Sequence, residues 1–384
     1  MRVLNVLFDD RFAGPQKRVI LIASALRRHG VETVLCVPAR DGDAPAAAEN
    51  EGIAVRRVPC ERIPRPRELS RVARWLFSLP GDTRRFLSLF RRERPEVVHV
   101  NGAFFWPPVL AARLARAPLL WHLNDIVVPR PFAPLFGALV RLLANQVVVS
   151  SEAVAAHYGV LGTAPAVFYP PVQPDPAAVP RRRTGCDPRP FRVGLIAHWN
   201  AEKGIEYFVR AAARVREQLG DKLEVVFAGA KYATQRDYCQ RVEELIRKLG
   251  LNSCIRDYGF VPSVGPVLRE LDVLVSSSVT EAFGMSALEA MAAGVPVVAT
   301  EVGGLPELLL ADPARPGGIL VPPKDEAALA AAILELWRDP ARAAQLGEQG
   351  RQVARERFAL DLCAQRHLEV YSKMQSRGAE SRGA

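Results

Sequence analysis

Two carboxylates frame a glycine turn in the segment TEAFGMSALEAMAAGVPVVATEVGGLPE, residues 280–307. Glu281 precedes an Ala-Phe-Gly turn, and Glu289 lies about one and a half turns into the short helix that follows. A buried-type strand over 295–299 then leads to a Gly-Gly turn that opens another helix. Two strand-to-helix turns of this kind place two helix N-termini, with their backbone N–H groups, at one edge of a sheet. The spacing therefore predicts a site for a phosphorylated ligand.

The two carboxylates suit the hydroxyl groups of such a ligand. A glutamate on the helix, as Glu289 is, can accept hydrogen bonds from the two hydroxyls of a ribose. Glu281, in the loop, is placed to meet hydroxyls of a different ligand group. The alternatives are an exposed helix residue at Glu289 and an ordinary acid near a helix N-terminus at Glu281.

A lysine stands in another strand-to-helix loop of the same half. The strand over 192–197 ends at His198, and an Ala-Glu-Lys-Gly turn that contains Lys203 then leads into a helix. A lysine at the carboxyl edge of a parallel sheet can act as a point charge on a phosphate. The alternative is a surface lysine beside a glycine turn.

Apolar strand-like runs alternate with longer amphipathic segments along the whole chain, which predicts parallel sheets covered by helices on both faces. Helical segments stand between the runs, such as 17–29 and 205–219. The predicted strands are 3–8, 32–37, 97–100, 119–123 and 146–150 in the first half, and 192–197, 224–228, 255–258, 272–276 and 296–299 in the second.

Seven prolines fall within residues 170–190. Because proline neither donates to a strand ladder nor continues a helix, this segment is predicted to link two doubly wound domains. Ligands of such folds bind outside the carboxyl ends of the strands, so a cleft between the domains is expected there. The tail over 326–374 is predicted to form consecutive helices broken near Asp339-Pro340, and the last dozen polar residues are predicted to fray.

Length and composition agree with two globular domains. The chain has 384 residues, 49% hydrophobic and 24% charged, which is too long for one ordinary core. Asp9 and Asp10 interrupt the first apolar run, so we predict neither a secretory signal nor a membrane span. The six cysteines form no CxxC pair, and no histidine stands at metal-ligand spacing. The cysteines are predicted to be reduced thiols in a cytoplasmic protein without a structural metal.

The net charge of +10 is concentrated in residues 54–94, where twelve arginines and four acids give a net charge of +8. Apolar residues stand between the arginines. The pattern predicts a surface that meets an anionic membrane or an acidic acceptor. The alternative is a solvated, arginine-rich helix face. Nucleic acid is disfavoured, because no recognition motif accompanies the charge.

The 281–307 segment resembles the donor-binding signature of retaining glycosyltransferases of family 4, which have the GT-B fold. That signature is Glu, seven residues, Glu, with Phe-Gly between them, and then a Gly-Gly-x-x-Glu turn. Further similar segments are LIAHWNAEKGIEYFVRA, EVVHVNG, WHLND and VVVSSEAVAAHY, so the resemblance covers about residues 1 to 375.

The resemblance implies an α/β architecture of two doubly wound Rossmann-like domains that face a central cleft. The N-terminal acceptor-binding domain would span 1–180, and the nucleotide-sugar-binding domain would span 181–360. A C-terminal helix over 361–384 would pack back on the N-terminal domain and end in a frayed tail.

Roles for individual residues of the second half also follow from the resemblance. Glu289 would bind the ribose of the donor, Glu281 would contact the transferred sugar as a catalytic residue, and Lys203 would neutralise the diphosphate. The residues whose backbone would cradle the sugar or phosphate are Phe283, Gly284, Met285 and Ser286, with Gly303 and Gly304 close by.

The sequence departs from the family pattern in two loops, the one before Lys203 and the one after the first strand. His198 stands five residues before the lysine, where the family often has an arginine. A neutral histidine cannot replace a permanent charge, so phosphate binding would be weaker or another residue would supply the cation. Gly14-Pro15 replaces the usual Gly-Gly loop. Gly14 is a candidate donor-binding residue, and Pro15 removes one backbone N–H that could have met a phosphate or acceptor. Lys17 and Arg18 at the start of the helix could partly compensate.

The strand end WHLND is the third departure. The histidine of the family usually stands directly before an acidic or small residue, and here that slot holds Asn124, before Asp125. His122 lies two residues earlier and points to the same face of the strand as Asn124. Either His122 reaches the cleft, or Asn124 acts as a hydrogen-bonding substitute. With Asp125, these two are the candidate catalytic residues of the first half. The alternative is a core histidine, as is also expected of His99.

An aromatic run over 104–106 could stack on an acceptor sugar or lipid, although a core position is more common for such a cluster. Pro107 and Pro108 are predicted to keep this run in a loop.

The implied reaction moves a sugar from a nucleotide-diphosphate donor to an acceptor hydroxyl with retention at the anomeric carbon. The resemblance also implies that the reaction needs no divalent metal, and no other cofactor is expected. The basic region over 54–94 favours a lipid-linked or polysaccharide-precursor acceptor and a peripheral location on the inner face of the cell membrane. The alternatives are a nucleotide-sugar epimerase, a phosphorylase with pyridoxal phosphate, and a non-catalytic nucleotide-sugar-binding partner subunit.

Overall fold

The computed structural model describes residues 1–61, 69–160, 166–173, 175, 178 and 188–383. It divides into two units, Met1–Pro171 with Leu360–Ala384 and Val172–Ala359. The sequence had placed the boundaries at 180 and 361. Most of the proline-rich segment predicted as a linker lies outside the described residues. At its start, Val172 pairs with Ala359 in a single β-bridge of the second unit.

The first unit contains a seven-stranded parallel sheet. Its strands are β1 Arg2–Val6, β2 Glu32–Pro38, β3 Ala54–Val58, β4 Val97–Asn101, β5 Leu119–Leu123, β6 Gln146–Val149 and β7 Ala166–Val167. Its helices are α1 Gly14–Arg27, α2 Ala44–Asn50, α3 Leu69–Glu93, α4 Trp106–Ala115, α5 Ala133–Leu143 and α6 Glu152–His157. The spatial order is β3-β2-β1-β4-β5-β6-β7, so the direction of winding reverses between β1 and β4. Ligands of such sheets bind at the carboxyl ends beside that reversal.

The second unit contains a six-stranded parallel sheet. Its strands are β8 Phe191–Ile196, β9 Leu223–Ala228, β10 Ile255–Asp257, β11 Val273–Ser276, β12 Val297–Thr300 and β13 Gly318–Val321. Its helices are α7 Ile205–Leu219, α8 Arg236–Lys248, α9 Gly265–Glu270, α10 Met285–Ala293, α11 Leu305–Leu309, α12 Glu326–Arg338 and α13 Pro340–Arg357. The order is β10-β9-β8-β11-β12-β13, with the reversal between β8 and β11.

The predicted strands are confirmed, with ends that differ by no more than two residues. Three strands were not predicted: β3, β7 and β13. Each lies at an edge of its sheet. An edge strand is less completely covered than a central one, so its sequence need not be a continuous apolar run. β3 carries Arg56 and Arg57, and β7 has only two residues. By contrast, β4 and β5 are buried at all five positions, as a strand covered on both faces requires.

The predicted break between the last helices is confirmed at Asp339-Pro340. Asp339 accepts a hydrogen bond from the amide of Arg342 at 2.9 Å and so begins α13, with Pro340 in the first turn. The last helix, α14 Leu360–Gly383, belongs to the first unit and packs on α1. The helix continues to Gly383, beyond the point where the sequence predicted fraying.

α14 contributes to the core of the first unit. The buried residues Cys363, Ala364, Tyr371 and Met374 cluster with residues of α1 and β4. Across the described ranges, no helix combines the length and the apolar character needed to cross a bilayer. Five of the six cysteines lie in the described part of the chain, and all five are free thiols.

Candidate active site

The loop after β8 is fixed against the end of β11. The side chain of Asn200 accepts a hydrogen bond from the amide of Lys203 at 3.2 Å, which closes the turn before α7. Gly204 then adopts φ +57°, and a Cβ there would lie 2.2 Å from the carbonyl oxygen of Ser277. In return, the Ser277 hydroxyl donates to the carbonyl of Lys203 at 3.0 Å. The position of the Lys203 backbone is therefore set by the neighbouring strand.

Lys203 and Glu281 form an ion pair at the carboxyl edge of this sheet. The Nζ of Lys203 lies 2.7 Å from Oε2 of Glu281, and the Ser278 hydroxyl donates to the same oxygen at 3.2 Å. The two side chains are 27% and 14% exposed. The sequence-predicted phosphate cation and the predicted sugar-contacting carboxylate therefore meet, although 78 residues separate them.

The Gly-Gly turn after β12 packs on the same loop. Gly303 adopts φ +54°, and a Cβ there would lie 1.5 Å from the carbonyl oxygen of Glu281. The amide of Gly304 donates to that oxygen at 3.3 Å. The helix that follows, α11, has only five residues, and Pro306 lacks an N–H in its first turn. The turn therefore packs closely on the Glu281 loop, and anion binding at this second helix N-terminus stays a prediction.

α10 provides the helix N-terminus that the sequence predicted. It begins after Gly284, which has φ +107°, and no side chain caps it. The first-turn amides of Met285 and Ser286 have no acceptor within the helix, so they remain available to an anion. Only Met285, Ser286 and Glu289 of its nine residues are not buried. Their spacing of three and four residues places them on one face of α10.

Phe283, in the turn before α10, has a buried side chain. Its side chain is 3% exposed and packs edge-on against Phe358, with ring centroids 5.6 Å apart. The sequence had assigned it a backbone role, and the burial of its ring agrees with that interpretation.

His198 is held by the loop after β9. Its Nδ1 accepts a hydrogen bond from the amide of Ala230 at 3.3 Å, and its ring stands 5.0 Å from that of Tyr232. The nearby Lys231 is held between Asp257 and Glu243, at 2.8 and 3.0 Å. It also stands over the ring of the buried Trp199, 4.1 Å from the centroid. Lys231 is therefore already paired with two carboxylates next to the loop that holds His198.

At the carboxyl edge of the first sheet, Asp125 joins several loops. It accepts hydrogen bonds from the amide of Ala103 at 3.2 Å and from the hydroxyl of Tyr158 at 3.1 Å. Burial raises the pKa of this carboxyl, and the same hydrogen bonds oppose that shift. Asp125 thus holds the loop after β4 against the end of α6, which is a positioning role.

His122 lies in the core rather than at a ligand-facing surface. It is fully buried, and the guanidinium of Arg18 donates to its Nε2 at 2.7 Å. The ring stacks on His99, with centroids 5.3 Å apart and a contact of 3.1 Å between their nitrogens. Burial, and next the charge of Arg18, holds the pKa of His122 well below its usual value. The prediction that His122 reaches a cleft is therefore wrong, and the core histidine is observed; a hydrogen-bonding role for Asn124 stays a prediction.

Arg18 is the centre of a buried polar network that the sequence did not reveal. It is 3% exposed, and it donates to Asn101 as well as to His122. Asn101 donates to Asn5 at 2.7 Å, and the Tyr371 hydroxyl lies 2.7 Å from Nδ1 of His99. Burial lowers the pKa of Arg18 to about 10, so it stays charged at neutral pH. The expectation that Arg18 would compensate for Pro15 at a ligand is wrong, because its side chain points into the core.

Polar strand residues were the available signal for this network. Asn5, His99, Asn101 and His122 interrupt strands that are otherwise apolar. In a strand buried on both faces, such residues must hydrogen-bond to one another or to a neighbouring helix.

The edge of the first sheet also carries polar atoms without a partner among the described residues. They are Oε1 of Gln16, Nδ2 of Asn124 and Oγ of Ser150. Gln16 is in the first turn of α1, and Asn124 and Ser150 follow the ends of β5 and β6. Gly14, predicted to bind the donor, is the first residue of α1 and is half-buried. Buried polar atoms are rarely left unpaired, so this edge can bind hydroxyl groups.

The aromatic run of the first unit is structural. Phe105 is buried, Phe104 packs on Phe136 at 5.7 Å, and Trp106 packs edge-on against Trp121 at 5.4 Å. Trp106 is the first residue of α4, so the predicted loop at this position is wrong. Pro107 and Pro108 fall in the first turn, where a missing N–H costs no helical hydrogen bond.

No group of three histidine, cysteine, aspartate or glutamate side chains that could hold a metal ion occurs among the residues for which the structure gives positions.

Two family models match the chain. Glycosyltransferase Family 4 matches residues 12–175, and Glycosyl transferases group 1 matches residues 190–339. Together they span most of both units and include both candidate edges. The chain belongs to the family 4 glycosyltransferases.

The similarity extends to proteins of this family in other organisms. The D-inositol 3-phosphate glycosyltransferase of Kineococcus radiotolerans is 28% identical over 418 residues, which covers 95% of this chain and 92% of that protein. The uncharacterized glycosyltransferase MJ1607 of Methanocaldococcus jannaschii is 32% identical over 195 residues, or 50% of this chain and 47% of that protein. This family 4 chain spans about half the length of the curated relatives that it matches at 32% identity.

Solved structures share the fold of this family 4 chain. Anabaena Alr3699/HepE, whose crystal structure is in complex with UDP and glucose, has a TM-score of 0.79. It is 22% identical, and the match covers 97% of this chain and 99% of that chain. The two Rossmann-like units therefore have the GT-B fold.

Proposed function

We propose that this family 4 protein transfers a sugar from a nucleoside-diphosphate sugar to an acceptor hydroxyl, with retention at the anomeric carbon. The observation that carries the proposal is the Lys203–Glu281 pair of 2.7 Å beside the uncapped start of α10. A cation and a set of unbonded helix amides together suit a diphosphate.

In this proposal the edge of the second unit binds the donor. Lys203 and the first amides of α10 bind the diphosphate, and the face of α10 directs Glu289 towards the ribose hydroxyls. Glu281 exchanges its contact with Lys203 for a contact with the transferred sugar. The UDP and glucose bound to Alr3699/HepE support a nucleotide-sugar donor for the shared fold.

The bond between the anomeric carbon and the diphosphate oxygen breaks in the reaction, and the electron pair stays on the diphosphate. Lys203 and the α10 amides stabilise that growing negative charge, which we expect to be their largest contribution to rate. The acceptor oxygen attacks from the same face, and its proton passes to the departing phosphate oxygen. This front-face route is proposed because no described side chain is a convincing nucleophile for a double displacement.

The acceptor is proposed to bind at the edge of the first unit. The unpaired atoms of Gln16, Asn124 and Ser150 offer one donor, one acceptor and one hydroxyl, which suits a polyhydroxylated molecule. We propose a lipid-linked or polysaccharide-precursor acceptor, because the described part of the 54–94 region is rich in exposed arginine. Neither a metal nor another cofactor is part of the proposal.

Nucleotide binding and product analysis test the proposal. Thermal unfolding is measured with UDP, GDP and ADP and with their sugars, since a ligand that binds the folded state raises the melting temperature. We expect one nucleotide to raise it for the wild type and for Lys222→Met, an exposed lysine of the same unit. Lys203→Met and Glu289→Gln should lose most of that increase.

NMR of the products determines the configuration at the anomeric carbon and shows whether product formation requires an acceptor. Retention of the donor anomer in an acceptor-dependent product supports the proposal. Conversion of the donor alone would instead indicate an epimerase. Nucleotide binding without any product across lipid-linked and soluble acceptors would indicate a non-catalytic partner subunit.

A further inference from the structure

The outer surface of α4 and α5, here called the α4–α5 face, exposes a cluster of large apolar side chains. The exposed fractions are 38% for Leu110, 64% for Leu114, 64% for Phe132, 75% for Leu135, 40% for Leu139 and 76% for Leu142. Single exposed leucines are common, but a group of this kind on two neighbouring helices is unusual for a surface that meets only water.

The apolar residues of α5 form one stripe. Leu135, Leu139 and Leu142 are spaced by four and three residues, and Phe132 lies one turn before them, so all four project from the same side. The opposite side of α5 is buried against the unit. A Cβ at Gly137 would lie 2.0 Å from the carbonyl oxygen of Tyr158, so α5 is seated closely and the stripe faces outwards.

α4 lies beside α5 and adds to the same surface. Trp106 of α4 packs edge-on against Phe136 of α5, with centroids 5.9 Å apart. The crossovers from β4 to β5 and from β5 to β6 run in the same direction, and right-handed crossovers of that kind place both helices on one side of the sheet. The outward leucines of α4, Leu110 and Leu114, therefore face the same side as the α5 stripe.

The α4–α5 face is cationic and has no exposed carboxylate. Arg113, Arg116, Arg130 and Arg141 are exposed. Asp125 is the only acid between residues 97 and 151, and its carboxylate is occupied by hydrogen bonds within the protein. An apolar stripe flanked only by arginines is complementary to an anionic, partly apolar partner.

The neighbouring helix α3 continues this charge pattern. Its arginines at 74, 84 and 91 share one helix face with Phe77, which is 87% exposed. The acids of α3, Asp82 and Glu93, are buried and paired with arginines. A symmetric dimer through these faces would bring arginines of one copy against arginines of the other, so a second copy is a poorer occupant than an anionic surface.

We propose that the α4–α5 face docks on an anionic lipid bilayer. The leucines of α5 enter the boundary between headgroups and acyl chains, while the arginines extend to the lipid phosphates. The sequence had placed membrane contact in residues 54–94, of which 62–68 lie outside the described residues; the face proposed here centres on α5 instead. The inference rests on the proposed function in one respect: docking on the bilayer would bring the protein to a lipid-linked acceptor.

Vesicle flotation with the full chain tests the docking. We expect binding to phosphatidylcholine vesicles that contain phosphatidylglycerol, weakened by salt, and no binding to phosphatidylcholine alone. Leu135→Ser combined with Leu142→Ser should lower the bound fraction at least about tenfold, because both side chains leave the bilayer boundary. Leu249→Ser combined with Leu310→Ser changes two exposed leucines of the second unit and should bind as the wild type does.

Charge is tested separately with Arg130→Gln combined with Arg141→Gln, which should bind more weakly and respond less to salt. Equal binding by the wild type and the α5 leucine variant would overturn the proposal, as would absence of binding to anionic vesicles at low salt. A wild type that elutes as a dimer, with a monomeric leucine variant, would overturn it in favour of self-association.

Failure of the docking and failure of the proposed function are distinguishable. If docking fails, the nucleotide-dependent rise in melting temperature remains while vesicle binding is absent. If the proposed transfer fails, vesicle binding remains and no nucleotide or acceptor produces a response. The leucine variant should also keep the nucleotide response of the wild type, which shows that its fold is intact.

Discussion

The buried histidines of the first unit should make it sensitive to acid. His367 is 2% exposed, its ring stacks on Phe168 with centroids 3.7 Å apart, and its Nδ1–H donates to the carbonyl of Cys363 at 2.8 Å. Burial lowers the pKa of His367 to about 3, whereas an imidazole in the unfolded chain has a pKa of about 6.5. Because the unfolded state takes up the proton first, the free energy of unfolding falls as the pH drops below about 6.5.

The size of this effect follows from the two pKa values. Each pH unit between them lowers the free energy of unfolding by about 1.4 kcal/mol for one histidine. Between about pH 7.5 and about pH 5, His367 alone lowers it by about 2 kcal/mol. Burial also lowers the pKa of His99 and of His122, so the wild type loses more. The raised carboxyl pKa of Asp125 opposes this loss, because the folded state takes up that proton first. It is one carboxyl against the three buried histidines.

His367→Phe tests this reasoning because it keeps an aromatic ring on Phe168 and removes the titration. We expect the variant to lose about 2 kcal/mol less than the wild type between those pH values. The measurement is urea unfolding, with amide hydrogen exchange in β4 and β5 as the report from the first unit. His29→Gln removes an exposed histidine and should lose as much as the wild type. Equal acid losses for the wild type and His367→Phe would refute the reasoning.

Two further predictions concern the loops that follow β8 and β12. Gly303→Ala should cost about 3 kcal/mol or more in thermal unfolding, since its Cβ would overlap the Glu281 carbonyl. Gly250→Ala shares a positive φ but meets nothing within 4 Å, and it should cost only about 1 kcal/mol; equal losses for the two would contradict the packing argument. Asn200→Ala removes the cap on the amide of Lys203, and we expect that amide to exchange about fivefold faster, as a cap of about 1 kcal/mol implies. An unchanged exchange rate would show that the cap does not hold the loop.

Much of the fold could be predicted because the sequence patterns that specify it involve neighbouring residues. The central strands of both sheets are short apolar runs bounded by glycine, proline or polar residues, and their burial on both faces requires that composition. The edge strands β3 and β7 were missed for the same physical reason, since an edge position imposes less on the sequence. The break at Asp339-Pro340 was predictable because proline and a capping aspartate act within one turn.

The loops that follow β8, β11 and β12 were predictable because glycine and charged residues at strand ends mark tight turns. The sequence indicated Lys203, Glu281 and α10, and the structure brings the first two within 2.7 Å. The length of α11 could not be read in this way. A helix of five residues and a longer helix begin with the same sequence signals, and α11 ends at Leu309.

The sequence by itself determined the parallel α/β architecture, the family and the loops that carry Lys203, Glu281 and Glu289, because periodicity, glycine turns and motif spacing operate over neighbouring residues. Only the tertiary structure decided that Arg18 and His122 are buried together and that α5 exposes its leucines. Each of these depends on contacts between residues far apart in the chain, such as the 104 positions between Arg18 and His122. Burial is a property of the whole packed unit, so it cannot be read from the composition of one segment.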